Sequence, residues 1–202
     1  MFKDFRTMLD AQEALNNKYV PNWREAVVVE QQLSAALTEL AEWFESAPRS
    51  GSVTTNGTSG WKWWKRNLED DHQNKRIEII DVWHFMMSVW LYLGSKDNIQ
   101  EFVEKYSYYN ISKDYSNLKK IHLYQSKFTM YSLENNLEKS VFTGMTLLKC
   151  LMDETDMTWD SLENGYFVKN QLNHTRVENG YQEGKYTKHD ENGHEDNRKL
   201  NV

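Results

Sequence analysis

Apolar residues recur at helical spacing along most of the chain, and no stretch alternates with the two-residue period of a half-buried strand. Phe5, Met8, Leu9, Ala11 and Leu15 share one face of a helix predicted over Phe2–Lys18, which Pro21 stops. A second helix is predicted over Trp23–Glu45, with Leu33, Ala36, Leu37, Leu40 and Phe44 as its stripe. Ala47–Gly60 is small, polar and glycine-rich, which predicts a flexible connection. Trp61–Leu93 then opens on an aromatic and basic cluster, with its main helix entering near Asp70–Asn74 and Gly94–Asp97 breaking it. Ile99–Tyr109, Tyr115–Ser132 and Leu133–Met152 read as helices, the last with Leu137, Val141, Met145 and Leu148 in register. Thr158–Arg176 reads as another, capped by Thr158 or Asp160. From Glu178 the chain carries three glycines, many charges and almost no aliphatic residues, so composition alone predicts a disordered tail. The expected class is all-α: a single-domain bundle of about five to seven helices over residues 1–202, with a flexible connection at 47–60 and a mobile segment at 178–202.

The run in Trp61–Leu93 that follows the aromatic cluster is apolar nearly all round, as in a buried helix, yet Glu78, Asp81 and His84 interrupt it. Glu78 and Asp81, three apart, project from one side together with Val82, Phe85 and Val89. Buried carboxylates must be paired, protonated or bound to a cation. Glu39 and Glu42 form a second pair three apart, with Glu45 one step on, whereas Glu30 does not project with them. Two helices facing one another with such pairs would set four carboxylates around one point. Oxygen ligands suit Mg²⁺, which bridges carboxylates to phosphates, and four acids suggest two or three ions once a polyphosphate is bound. The plain alternative for Glu39, Glu42 and Glu45 is a solvated helix face. His84 reads as a core or supporting histidine, because it projects away from Glu78 and Asp81.

Composition narrows the classes. The net charge of −6 removes a general footprint for polymeric nucleic acid, although a local cluster could still hold a small anion. Lys169, Arg176, Lys185 and Lys188 offer one, and Trp61, Lys62, Trp63, Trp64, Lys65 and Arg66 combine ring faces with cations. The alternative for that cluster is a tryptophan core with snorkelling lysines. The lone Cys150 excludes an internal disulfide and a cysteine-rich metal site, which favours a reduced, intracellular setting. The N-terminus has no signal pattern, and Ile77–Leu93 is charged and short for a bilayer span, so a soluble protein is expected. There is no P-loop signature, and no Ser–His–Asp or Cys–His arrangement follows from the spacing.

ELAEW, then WKWWK, then RIEIIDVWHF resembles the dimeric, all-α dUTP diphosphatases of the all-α NTP pyrophosphatase superfamily. The closing segment VKNQLNHTRVENGYQEGKYTKHDENGHEDN is similar to the family's C-terminal pattern, so the likeness covers roughly half the chain and leaves 93–157 unmatched. The connection at 48–60 is longer and richer in glycine and serine than that family leads one to expect. The resemblance implies Glu39, Glu42, Glu78 and Asp81 as magnesium ligands, with Glu39 or Glu42 activating water. It implies Gln12 and Asn16 at uracil, Trp61 or Trp64 stacked on the base beside Lys65, and Asn173 at the nucleoside. Lys169, Arg176, Tyr181, Lys188 and Asn197 would grip phosphates or close the site, and Asp196 would assist at the metal. It also implies a tail that folds over nucleotide, against the compositional reading. The activity implied is Mg²⁺-dependent hydrolysis of dUTP, and of dUDP, to dUMP in the cytoplasm by a homodimer without nucleic-acid or membrane partners. A dCTP or dual dCTP/dUTP pyrophosphatase is the alternative, and a non-catalytic helical interaction module the remote one.

Overall fold

The structure, a computed structural model, describes residues 2–50, 60–65, 67–108, 116–189, 191, 193 and 195–200. Most of the connection expected at Ala47–Gly60 lies outside these residues. The chain is all-α, with eight α-helices and no strand among the described residues. They are α1 (Phe5–Tyr19), α2 (Trp23–Ala26), α3 (Val29–Ser46), α4 (His72–Leu93), α5 (Lys96–Ser107), α6 (Asn117–Leu133), α7 (Leu137–Asp153) and α8 (Trp159–Glu178), and a 3₁₀ turn follows at Asp196–Lys199. None of these helices is long and apolar enough to cross a membrane.

Local chemistry sets most boundaries. Asp71, Ser95, Ser116, Asn136 and Thr158 each accept a backbone N–H from the first turn of α4, α5, α6, α7 and α8, satisfying donors that a helix start leaves open. Thr158, rather than Asp160, is the cap of α8. The helix expected over Trp23–Glu45 is in fact two. Asn22 adopts a left-handed conformation at φ 56°, and Val27 and Val28 are extended, so the single turn of α2 ends before α3 begins. The α6–α7 boundary turns through Asn135, also left-handed at φ 54°.

Helix α4 is the axis of the bundle. Ile77, Ile79, Ile80, Val82, Trp83, Met86, Met87, Val89, Trp90 and Leu91 are all buried, because α1, α3, α7 and α8 pack around it. Trp83 stacks on Phe2 at 5.2 Å between centroids and meets the edge of Trp90 at 5.4 Å. Gly144 lets α7 approach α4 closely: a Cβ there would stand 2.7 Å from the Trp90 ring. Truncating a fully buried tryptophan such as Trp83 to alanine costs about 3–5 kcal/mol. At the entry to α4, Lys75 and Arg76 donate to the carbonyls of Glu154 and Thr155, satisfying groups that the end of α7 leaves open.

The described residues after Glu178 are docked, contrary to the disorder that composition predicts. Gln182 donates to the Tyr19 carbonyl at 2.8 Å, and Gln73 donates to the carbonyls of Arg198 and Leu200 at 2.6 and 3.0 Å. Arg198 pairs with Asp71 at 2.6 Å. Hydrophobic burial is nearly absent from this segment, and polar bonds to the bundle take its place.

Candidate functional site

A cavity of about 420 Å³ lies between α1, α3, α4 and α8 and the C-terminal segment, a size ordinary for a small-molecule site. Its wall includes Gln12 and Asn16 from α1, Glu39 and Glu42 from α3, and Glu78, Asp81, His84 and Phe85 from α4. Lys169, Asn173 and Arg176 from α8 complete it with Tyr181, Lys188 and Asn197. Residues remote in sequence and named from spacing or resemblance therefore converge on one space.

One end is acidic. Carboxylate oxygens of Glu39, Glu78 and Asp81 lie within 4.8 Å of one another, since α3 and α4 pack side by side with their acid pairs facing. Burial, and then the neighbouring Asp81 and Glu42, pushes Glu39 up to about 7. Burial, and then Asp81, Glu39 and Glu42, pushes Glu78 up to about 9. Both shifts have the same cause: charged oxygens removed from water and set beside like charges. Asn74 orients Glu78, donating to its Oε1 at 2.8 Å and to the Ser46 hydroxyl at 2.7 Å. Asp81 accepts from the buried Lys169 ammonium at 2.7 Å. Glu42 borders the cavity but stands outside the three-carboxylate cluster, and Glu45 turns away to pair with Lys62. Oxygen-only donors crowded in this way fit a hard divalent cation, which would relieve the repulsion that burial creates.

The other end is polar without charge. His84 Nδ1 lies 2.7 Å from Gln12 Oε1, which also accepts from the Tyr166 hydroxyl at 3.3 Å. Gln12 Nε2 donates to Asn16 Oδ1 at 2.9 Å and to the Ser88 hydroxyl at 3.1 Å, and Asn16 Nδ2 donates to that hydroxyl at 3.0 Å. Burial, and then Lys169, lowers His84 to about 3, so it is neutral at ordinary pH. Its Nδ1–H donates to Gln12, and Nε2, buried and without a partner among the described residues, keeps an acceptor lone pair. His84 stays out of the carboxylate cluster, as its projection predicts, yet it borders the same cavity.

The aromatic cluster is not on this wall. The Trp61 indole donates to the Phe44 carbonyl at 3.0 Å and packs its edge on the Phe44 ring, so the chain entering α4 is pinned to the far side of α3. Trp64 rests against Trp61 and is 55% exposed, and neither tryptophan nor Lys65 borders the cavity. In this chain the stacking role expected for Trp61 or Trp64 has no geometric support. The rings on the wall besides His84 are Tyr19, Trp23, Phe85 and Tyr181. Of these, Tyr19 and Phe85 follow Asn16 and Asp81 by three and four residues, a spacing that places them on the same helix faces. Tyr166 and Ser88, which brace Gln12, carry no signal short of the fold itself.

The basic group is divided. Lys188 borders the cavity with its Nζ 5.3 Å from the Tyr181 ring centre, whereas Lys185 does not border it. Asp196 lies off the cavity: its Oδ2 accepts from Arg176 Nε at 3.1 Å and from the Tyr186 hydroxyl at 2.6 Å, and its Oδ1 from Arg176 Nη2. Burial pushes the Asp196 carboxyl up, but these hydrogen bonds outweigh it and leave the group below the usual carboxylate range. Both Asp196 oxygens already accept hydrogen bonds from Arg176 and Tyr186, and the metal-assisting role implied for Asp196 finds no support in these surroundings. Asn197 borders the cavity, buried, with its Oδ1 unpartnered among the described residues.

No curated protein matches the chain. A family model described as dUTPase matches residues 4–181, nearly the whole helical bundle and every wall residue up to Tyr181. A half-buried carboxylate cluster faces a neutral hydrogen-bonding end across one cavity, and the chain belongs to the dUTPase family of all-α type, a family of nucleoside triphosphate hydrolases.

Proposed function

We propose that the chain hydrolyses dUTP, and dUDP, to dUMP with release of pyrophosphate or phosphate, in a Mg²⁺-dependent reaction. The observation that carries this reading is the polarity of the cavity along α4. Asp81 and Ser88 share a face two turns apart, about 10 Å, and link the carboxylate cluster to the amide–imidazole network. A nucleotide laid along that face puts its phosphates at the acids and its base at Gln12, Asn16 and His84.

Two or three divalent ions held by Glu39, Glu78 and Asp81, with Glu42 beside them, would neutralise phosphate charge and acidify the attacking water. Within the chain, Glu39 is suited by its place to take the water's proton, since it borders the open cavity beside Glu78 and Asp81. Lys169 is held by Asp81 at the phosphate end, where its ammonium stabilises charge that develops on the leaving group. Lys188, from the C-terminal segment, adds a cation that binds the phosphates without a part in the chemical step.

The base end favours uracil. Both N–H groups of Gln12 Nε2 are committed, but Asn16 Nδ2 has one to spare, and His84 Nε2 has a lone pair to offer. A donor and an acceptor complement a carbonyl next to an N–H, the edge that uracil carries and cytosine carries reversed. A turnover panel of dUTP, dUDP, dCTP and dTTP with product analysis tests this. Preference for the uracil nucleotides with dUMP as product is expected. Equal hydrolysis of all four contradicts the base reading, and a preference for dCTP supports the dCTP or dual pyrophosphatase instead. An absence of any Mg²⁺-dependent turnover would leave the non-catalytic helical module. We further propose a homodimer, which sedimentation equilibrium tests.

A further inference from the structure

We propose that Asp196 is a positioning residue. Through Arg176 and Tyr186 it holds the C-terminal segment against α8, so that Lys188 and Asn197 stand on the cavity wall. The proposal rests on the cavity being a phosphate site, and its test separates the two.

Asp196 joins three parts of the chain. Its side chain takes two N–H groups of Arg176, at the last turn of α8, and the hydroxyl of Tyr186. Its own N–H donates to the Lys188 carbonyl at 2.8 Å, so the arm carrying Lys188 is tied to the arm carrying Asn197. An isolated bridge between His189 and Glu195 continues the same pairing. The residues on either side of these bonds, Lys188 and Asn197, reach the cavity, whereas Asp196 and Tyr186 do not border it.

The two-pronged hold of Arg176 on the Asp196 carboxylate fixes orientation as well as adding energy. Arg176 is 4% exposed, so a cation drawn to Asp196 would strand a buried guanidinium. Arg176 also donates from Nη1 to Asn173 Oδ1 at 3.1 Å. Asp196 and Asn173 thus fix the plane of the guanidinium and leave two of its five N–H groups for an anionic ligand. Asp196 orients Arg176 without exhausting it.

The test uses the full chain with Asp196→Asn, which keeps shape but loses charge, and Tyr186→Phe, which removes one bond to Asp196. On nucleotide-free protein, tryptic cleavage after Lys185 or Lys188, followed by mass spectrometry, should speed up about tenfold in Asp196→Asn and less in Tyr186→Phe, since cleavage follows the open population. In turnover assays, KM for dUTP should rise about tenfold with kcat within about twofold, because binding geometry and not chemistry is lost. The Mg²⁺ concentration for half-activity should not move. A fall in kcat with a raised Mg²⁺ requirement would make Asp196 a metal ligand and overturn the proposal. Faster cleavage with KM unchanged would leave only a structural tie, and no change in either readout would leave no role, so both also overturn it. A wild-type protein that hydrolyses none of the nucleotides would end the pyrophosphatase reading, and the tryptic comparison would still decide whether Asp196 holds the segment.

Discussion

Asp81 and Ser88 stand two turns apart on one face of α4, yet the polar groups around them are in opposite states. Around Ser88, the side chains of Gln12, Asn16, His84 and Tyr166 satisfy one another, and His84 is neutral. Around Asp81, Glu39 and Glu78 crowd a third carboxylate, and both are pushed above the ordinary range by burial and then by Asp81 and Glu42. Such a network is rigid and complete apart from a donor and an acceptor at its edge. The acid cluster holds Glu39 and Glu78 back from ionising, and a divalent cation bound there would favour their charged forms. One end has its hydrogen bonds in place within the protein, whereas the other gathers carboxyls that only a proton or a cation relieves.

The largest effect should come from the acidic end. Asp81→Asn removes a cluster oxygen charge and the partner of Lys169, so kcat/KM for dUTP should fall by about 10³-fold or more, as when a transition-state contact is lost. A fall of less than about tenfold would mean that the cluster is not the reaction centre.

The pH dependence of stability should differ between the ends, and the sign follows from the shifts. Glu78 has a folded value of about 9 against 4.5 unfolded, so below pH 4.5 both states are protonated and nothing is lost. As pH rises through about 9 only the unfolded chain ionises, and stability drains away. Glu39 adds to this slope up to about 7. His84 works in the other direction: lowered to about 3, it contributes fully above 6.5 and loses its contribution as pH falls towards 3. Between about pH 7 and about pH 9 Glu78 therefore acts nearly alone, and metal-free protein should lose on the order of 2 kcal/mol by denaturant titration. Added Mg²⁺ should flatten the slope, and a slope that is flat without metal would deny the crowding.

A smaller effect is expected at the neutral end. Ser88→Ala takes a partner from Gln12 and from Asn16, which should raise KM for dUTP by about tenfold, lower stability by about 1–2 kcal/mol and leave kcat nearly unchanged. A loss confined to kcat would place Ser88 in the chemistry instead. The smallest effect should be that of Trp63→Ala, outside both ends and 73% exposed, with kcat/KM within about twofold of wild type. A large loss there would restore the aromatic cluster to the site.

Much of this arrangement is legible in the sequence. The buried, two-carboxylate character of α4 follows from its apolar run, and the facing pair on α3 follows from helical spacing. The split between α2 and α3 does not, because it depends on a left-handed Asn22 and an extended Val27 inside a stretch with good helical periodicity. Nor does the placement of Trp61, whose ring and cation neighbours suit a ligand but whose indole is claimed by the Phe44 carbonyl. The segment after Glu178 misleads for another reason. A composition argument weighs apolar burial, while this segment is held by charge-assisted bonds such as Arg176–Asp196 and Arg198–Asp71. Tyr19 and Phe85 were within reach of the helical period, and Ser88 and Tyr166 were not, since their part is to brace Gln12 across three helices.

The central claim is that crowded carboxylates on α3 and α4 hold a cation for phosphate cleavage at a cost in stability. Glu78→Gln tests it directly, with melting temperature without metal and dUMP release with Mg²⁺ measured on the same preparation at about pH 8. The claim predicts a protein that melts at a higher temperature than wild type and releases no measurable dUMP. A variant that melts lower, or one that releases dUMP at the wild-type rate, would contradict it.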